Sequence, residues 1–236
     1  MNSFLIDPHV HTAETSHCGR VPAARLVELY VRAGYDGIII TDHYTRDFFN
    51  NGRTGAKQEW PAQIEAYMAG YRLAEQAGQA AGLKVFSGLE LKFDGLPNDY
   101  LVYGLDEAFL LTHPELTALD LERFRALTSD REVLIVQAHP FRDGCSPAPA
   151  RLLDGMEIYN GNPRHDSRND RAARFARENR LLATAASDTH QPEDVARGGM
   201  RFPKPLESIR DFITAIGDAE PCIAPPLADG RRMVRR

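Results

Sequence analysis

Three cysteines in 236 residues, Cys18, Cys145 and Cys222, stand far apart and form no C-x-x-C pair. That excludes a disulfide framework and a cysteine-only zinc site, and free thiols are expected. Long apolar runs are lacking as well: nowhere do about eighteen apolar residues follow one another. The start MNSFLIDPHV has neither a basic opening nor a long apolar stretch, so the protein is read as cytoplasmic, with no membrane partner. There is no excess of positive charge, since 28 Lys and Arg against 33 Asp and Glu leave a formal net charge of -5. Such a surface has no electrostatic footprint for wrapping a nucleic-acid backbone, so nucleic acid is expected only as a short substrate. Internal repeats, low-complexity tracts and long linkers are also missing, and residues 1–236 are read as one domain. The basic end DGRRMVRR is read as a solvated tail.

What is present is a core-forming composition, 43% hydrophobic and 26% charged. Short apolar runs alternate with helical stretches. Strands are expected at SFLI, GIIITDH, LKVFSGLEL, DYLVYGL, EVLIVQAHP, GMEIYNG and LLATAASDTH. Helices are expected from Pro22 to a stop at Gly34, and over about 58–81, 106–111, 115–128 and 166–180. About seven strands alternating with helices predict an α/β fold with a mainly parallel sheet, closed as a TIM-like barrel. The turn-rich stretch FFNNGRTGAKQ is a candidate lid.

Ionisable residues sit where these strands end: His9 and His11, Asp42 and His43, Glu90, His139, then Asp188 and His190. In a barrel those ends converge on one face. His9 and His11, one residue apart on an extended chain, project to the same side and can grip one cation. Asp42 alone reads equally well as a helix cap or an Asx turn. Glu90 ends an apolar strand, where a buried carboxylate needs a cation or hydrogen bonds to offset desolvation, and a carboxylate can bridge two metals.

The pieces DPHVHT, with His17 six residues after His11, GIIITDH, SGLEL, QAHPFR and SDTH run in one order over residues 7–190. In this the chain resembles the PHP (polymerase and histidinol phosphatase) domain family. The resemblance implies a distorted seven-stranded barrel holding two or three divalent metal ions, typically zinc, manganese or iron, and most often hydrolysis of a phosphoester. It further implies that His9 and His11 bind a first metal with Glu90 and Asp188, that Glu90 and His139 hold a second, and that His17, His43 and His190 hold a third. One position departs from the pattern. Where the family has a histidine before the strand YLVYGL, this chain has PND, which makes Asp99 the candidate ligand and Asn98 the fallback. A carboxylate there shifts the preference from zinc toward manganese, iron or magnesium.

The expected chemistry is attack on phosphorus by a metal-activated water, with Glu90 bridging, His190 or a third metal at the leaving oxygen, and Arg142 clamping a phosphate oxygen. Arg164 and Arg197 are weaker candidates for that clamp, and Asn160 and Tyr159 end a strand on the same face. His113 and His165 read as loop histidines, and Cys18 as a passenger. The expected partner is a small phosphorylated substrate, a monoester or a nucleotide. The rival readings are metal-assisted hydrolysis of a carbon centre, as in amidohydrolase barrels, and a metal-binding barrel without catalysis.

Overall fold

The structure is a computed structural model that describes residues 3–51 and 59–223. Ten strands form the sheet: β1 (Phe4–Val10), β2 (Gly37–Ile40), β3 (His43–Tyr44), β4 (Lys84–Lys92), β5 (Asp99–Tyr103), β6 (Leu134–Gln137), β7 (Gly155–Asn160), β8 (Leu182–Ala186), β9 (Gly198–Phe202) and β10 (Glu220–Ile223). The helices are α1 (Ala23–Ala33), α2 (Arg46–Asn51), α3 (Trp60–Tyr67), α4 (Ala69–Ala81), α5 (Glu107–Thr112), α6 (Leu121–Leu127), α7 (Asn169–Glu178) and α8 (Ile209–Ala215). Residues 48–51 of the lid candidate are thus helical. Its residues 52–58 and the basic tail at 229–236 lie outside the described residues. Among the described residues no helix is long and apolar enough to cross a membrane.

The strand order is β10-β9-β1-β2-β4-β5-β6-β7-β8, with β3 added on β4. A parallel bridge between Val10 and Thr189 joins the end of β1 to the chain just past β8, the last strand of that order. It is fastened by His11 N donating to Thr189 O at 3.0 Å and Thr189 N donating to His9 O at 3.3 Å. The result is the nearly closed TIM-like barrel that the alternation of strands and helices predicts. Two details differ from expectation. β3, β9 and β10 are additional strands, and Gly198, Gly199 and Pro221 explain why the last two carry little strand signal. The sheet is also less parallel than predicted, because β5 runs antiparallel to both β4 and β6, and β9 to both β1 and β10.

The reversal of β5 positions part of the site. Its first residue, Asp99, pairs with Lys92 at the end of β4, so a residue at the start of β5 reaches the face where the parallel strands end. A second device lies in β1. Phe4 and Ile6 point into the barrel core while Leu5 packs outward against α1, and then the register against β2 shifts between Asp7 and Val10. A one-residue shift exchanges the two faces of a strand. After it, Val10 packs outward while His9 and His11 face the barrel interior.

Apolar burial completes the frame. Ile6, Ile39, Leu101, Tyr103, Val136, Ala185 and Met200 pack inside the barrel, and Phe212 of α8 joins them. β2 is buried on both faces, as a strand between parallel neighbours must be. α1 lays Leu26, Val27 and Tyr30 against the sheet, and Gly34, in the left-handed region at φ 81°, ends the helix.

Gly104, just past β5, is a sharp test of this packing. Its φ of 100° suits glycine alone, and a Cβ there would stand 2.3 Å from the Glu132 carbonyl oxygen. Gly104→Ala is expected to cost at least about 2 kcal/mol, read as a lower denaturant midpoint. A midpoint equal to that of the wild type would contradict the close approach.

Candidate metal centre

The interior mouth of the barrel is lined by buried groups that all offer lone pairs. His9 Nε2 and His11 Nε2 stand 3.0 Å apart. Glu90 Oε1 lies 3.4 Å from His9 Nε2, Glu90 Oε2 3.4 Å from His11 Nε2, and Asp188 Oδ1 3.4 Å from both nitrogens. All four side chains are buried, none of the residues being more than 1% exposed. Two further clusters adjoin this one. Glu90, Asp99 and His139 bring their ligand atoms within 4.8 Å of one another, and so do His11, His43 and His190. His139 Nε2 is 3.1 Å from Glu90 Oε1, and His43 Nδ1 is 2.7 Å from Glu90 Oε2, so Glu90 touches every cluster.

Neighbouring residues fix which nitrogen each histidine presents. His9 Nδ1 donates to Glu157 Oε1 at 2.9 Å, which leaves Nε2 with its lone pair facing the cluster. His11 Nδ1 meets Ser16 Oγ at 3.2 Å, while that hydroxyl donates to Asp42 Oδ1 at 2.7 Å, so His11 also presents a bare Nε2. His190 Nδ1 donates to the Asp188 carbonyl at 3.0 Å. Asp188 is divided between two tasks: Oδ1 faces the histidines, while Oδ2 accepts from Arg142 at 2.8 Å and from Asn160 at 3.2 Å. Asp188 and His139 both sit in the left-handed region, with φ of 55° and 27°, a cost of about 1–3 kcal/mol each that the surrounding bonds must hold.

The electrostatics follow from this crowding. Burial works against the charged forms of both carboxylates, yet His43 and His9 beside Glu90, and His9, His11 and His190 beside Asp188, hold them well below the usual carboxylate range. Burial and the neighbouring Glu90 push Asp99 up instead. Burial also lowers His139 and His190, but Cys145 and Glu90 raise the former to about 9, and Asp188 and Cys18 raise the latter to about 10. Burial and the neighbouring His190 and His43 drive His11 well below the usual histidine range.

The donor set fits divalent cations. Two imidazoles and two carboxylates converge at 3.0–3.4 Å. Although burial lowers the His9 imidazole, Asp188, Glu157 and Glu90 hold it well above the usual histidine range, a demand for positive charge that a cation can meet in place of a proton. Atoms bound about 2.0–2.2 Å from one cation stand about 3.0–3.4 Å from each other, so the spacing is that of ligands around an ion. His139 Nδ1 is buried without a hydrogen-bond partner, a state that needs a reason in any folded protein.

The sequence-derived candidates distribute as follows. His9, His11, Glu90 and Asp188 stand together, with His139 and Asp99 on one side and His43 and His190 on the other. Asn98, the fallback for Asp99, instead accepts from Ser146 N at 3.1 Å. His17 is in none of the clusters; it is exposed and lines a neighbouring cleft with Phe48 and Lys92. Cys18, expected as a passenger, has its Sγ 3.2 Å from His43 Nε2. Burial opposes a thiolate there, but hydrogen bonding to His190 and His43 lowers its pKa to about 6. Arg142 lines the cleft above the clusters, as do Arg164 and His165, whereas Arg197 does not. Arg164 is committed to Asp194 through two bonds of 2.6 Å.

Sequence reasoning missed three contributors. Glu157 is buried in mid-strand, bonding His9, His139 N and Asn160, and the only signal was a carboxylate inside an apolar strand. Ser16 and Arg20 gave none. Arg20 lines the cleft, and its backbone N–H donates to the His190 carbonyl at 2.7 Å. The cleft has a volume of about 340 Å³, and Arg20, Arg142 and Arg164 give its wall positive charge above a floor of ligand atoms.

Comparison with known proteins agrees with this architecture. A family model described as PHP-associated matches residues 166–221, the stretch that carries Asp188 and His190. No protein of curated function matches the chain. Among solved structures, PsfC from Pseudomonas syringae PB-5123 superposes with a TM-score of 0.68 at 20% identity, covering 95% of this chain and 93% of its own. A two-domain protein from Bacteroides vulgatus ATCC 8482 that contains a predicted PHP-like metal-dependent phosphoesterase superposes at 0.69 and 16% identity, covering 94% of this chain and 65% of that one. An amidohydrolase from Chromobacterium violaceum, with bound sulfate and no metal, reaches 0.56 at 15% identity, covering 89% and 96%. At these identities the shared property is the fold. The fold is thus shared with a protein containing a predicted PHP-like metal-dependent phosphoesterase, and the PHP-associated match covers residues 166–221.

Proposed function

We propose that this protein is a metal-dependent phosphoesterase acting on a small phosphate monoester or nucleotide, and that His9, His11, Glu90, Asp99, His139, His43, Asp188 and His190 hold two or three divalent cations. One observation carries the reading: lone-pair donors converge on the floor of a cleft whose wall presents Arg142 with its Nε buried and unpartnered. Zinc, manganese or iron held there supplies Lewis-acid polarisation and a water made nucleophilic at neutral pH. The chain's own residues then do the rest. Glu157 and Ser16 hold His9 and His11 in the tautomers that keep Nε2 bare. Arg142, anchored through one amino group to Asp188, Asn160 and Ser167, offers its remaining N–H groups to a phosphate oxygen. His43 and His190, at the cleft, would hold a cation whose charge stabilises the leaving oxygen. The proteins of similar fold include one containing a predicted PHP-like metal-dependent phosphoesterase and an amidohydrolase with bound sulfate. The arginine-rich wall favours the dianionic phosphoester over an uncharged amide or lactone.

Protein loaded with manganese or zinc, assayed on phosphomonoesters, nucleotides, short oligonucleotides, lactones and amides, tests the substrate class. Turnover of the phosphate panel is expected, and turnover confined to lactones or amides would overturn the proposal. Glu90→Ala should lower kcat/KM about 10²- to 10³-fold or more, and unchanged turnover would remove Glu90 from the reaction. Arg142→Lys should raise KM for phosphate substrates about tenfold with a smaller effect on kcat, because lysine lacks the planar fork that holds Asp188 through one amino group and leaves the other N–H groups for the substrate.

Removing the cations should be felt in the fold. Adding manganese or zinc to chelator-stripped protein is expected to raise Tm by about 5–10 °C, as ligand concentrations some hundredfold above Kd would. The effect depends on pH with a definite sign. Without cations, His139 and His190 hold protons, and the stability this gives is complete below their ordinary value of 6.5 and lost as pH rises through about 9 and about 10. Cations must displace those protons, so metal affinity should rise from about pH 6 to pH 9, with protons released on binding. Calorimetry in buffers of different ionisation enthalpy measures this, and an affinity independent of pH would contradict it.

A further inference from the structure

We propose that Cys18, and not His17, is the loop ligand of the cation site formed with His43 and His190, and that this thiolate makes the site select zinc over manganese or magnesium. The inference rests on the reading of these clusters as a metal centre. It goes beyond that reading by assigning one ligand and its consequence for the metal.

The loop between β1 and α1 decides which side chain reaches the site. Asp42 holds its first half, accepting from Thr12 N and Thr12 Oγ1 at 2.8 Å each and from Ser16 Oγ at 2.7 Å. Gly19 N donates to Ser16 O at 3.1 Å, and Arg20 N to the His190 carbonyl at 2.7 Å. Residues 17 and 18 are therefore pinned at both ends. In the turn between, Cys18 projects toward His43 and His190, while His17 projects to the neighbouring cleft.

The donor atoms are consistent with a cation site independent of the thiol. His190 gives its Nδ1 proton to the Asp188 carbonyl, so its Nε2 carries the lone pair. His43 has Nδ1 beside Glu90 and turns Nε2 toward Cys18 Sγ at 3.2 Å. His11, His43 and His190 already form a group able to hold an ion, and Cys18 Sγ, outside that group but 3.2 Å from His43 Nε2, offers a further donor of a different kind at its edge. Thiolate and imidazole suit zinc, whereas manganese and magnesium prefer oxygen. At the opposite end, Glu90, Asp99 and His139 offer two carboxylates to one imidazole. The two ends therefore differ in softness, and the thiol end is the one expected to keep zinc.

Cobalt serves as a spectroscopic stand-in. The full-length protein loaded with Co²⁺ should show a thiolate-to-cobalt charge-transfer band that is present in wild type and His17→Ala and absent in Cys18→Ser. Metal analysis after zinc loading should find about one ion fewer per chain in Cys18→Ser. In Cys18→His the count should recover while the band stays absent, which excludes misfolding as the cause. Iodoacetamide should alkylate Cys18 at least about tenfold more slowly once zinc is added, with Cys222 as the internal reference. A band that survives Cys18→Ser, or a band or an ion lost in His17→Ala, would overturn the assignment. Glu90→Ala is assayed alongside: if it abolishes turnover while the Cys18 variants keep every ion, the assignment fails and the phosphoesterase reading stands.

Discussion

Acceptor atoms facing acceptor atoms across about 3 Å are the constraint on which the rest of this molecule depends. His9 Nε2 and His11 Nε2 each have their other nitrogen committed to a protein partner, and the oxygens of Glu90 and Asp188 close the ring. Lone pairs at that separation repel, and in a buried site water does little to screen them. A chain can hold such an arrangement only with positive charge at its centre and a frame stiff enough to resist it. The parallel bridge at Val10 and Thr189, the buried Glu157, and Asp7 with Tyr30, which bond at 2.8 Å under the first strand, are parts of that frame. Protons and cations compete for the same lone pairs, which couples the stability of the barrel mouth to both.

Much of the site was legible because a barrel converts chain order into spatial convergence. An ionisable residue after an apolar run marks a strand end, and strand ends of parallel neighbours share one face. That rule placed His9, His11, His43, Glu90, His139, Asp188 and His190 without knowledge of their contacts. It says nothing about strands that run the other way. Asp99 stands at the start of its strand, and only the reversal of β5 brings it to the same face. The short β3 and the glycine- and proline-bearing β9 and β10 were invisible for a different reason: two to five residues with little β-branched content carry no period to read.

The supporting residues were harder to read than the ligand candidates, again for physical reasons. Glu157 sits inside a strand and not at its end, and its role appears only when His9, 148 residues away in the chain, is seen to need a proton acceptor on Nδ1. Asp42 was open between a cap and an Asx turn. In the structure its two oxygens organise the loop from Thr12 to Ser16, so it acts on the centre through the backbone. The resemblance to the PHP domain family implied His17, but a loop is not a strand, and spacing in a loop does not fix direction. Two hydrogen bonds, from Gly19 and Arg20, turn the chain so that the next residue faces the histidines.

Arg142 shows how one side chain can connect the floor of the cleft to its mouth. Its amino group bonds Asp188 Oδ2, which leaves Asp188 Oδ1 to face His9 and His11. The guanidinium therefore anchors the carboxylate in one orientation, and the carboxylate in turn fixes the plane of the guanidinium. Under the proposed phosphoesterase reading, a planar cation so held would lose little freedom when an oxyanion arrives. Substitution by lysine keeps the charge and loses the plane. The bond between Arg142 and Asp188 thus ties the proposed anion clamp to the orientation of a ligand candidate beneath it, coupling the wall of the cleft to its floor.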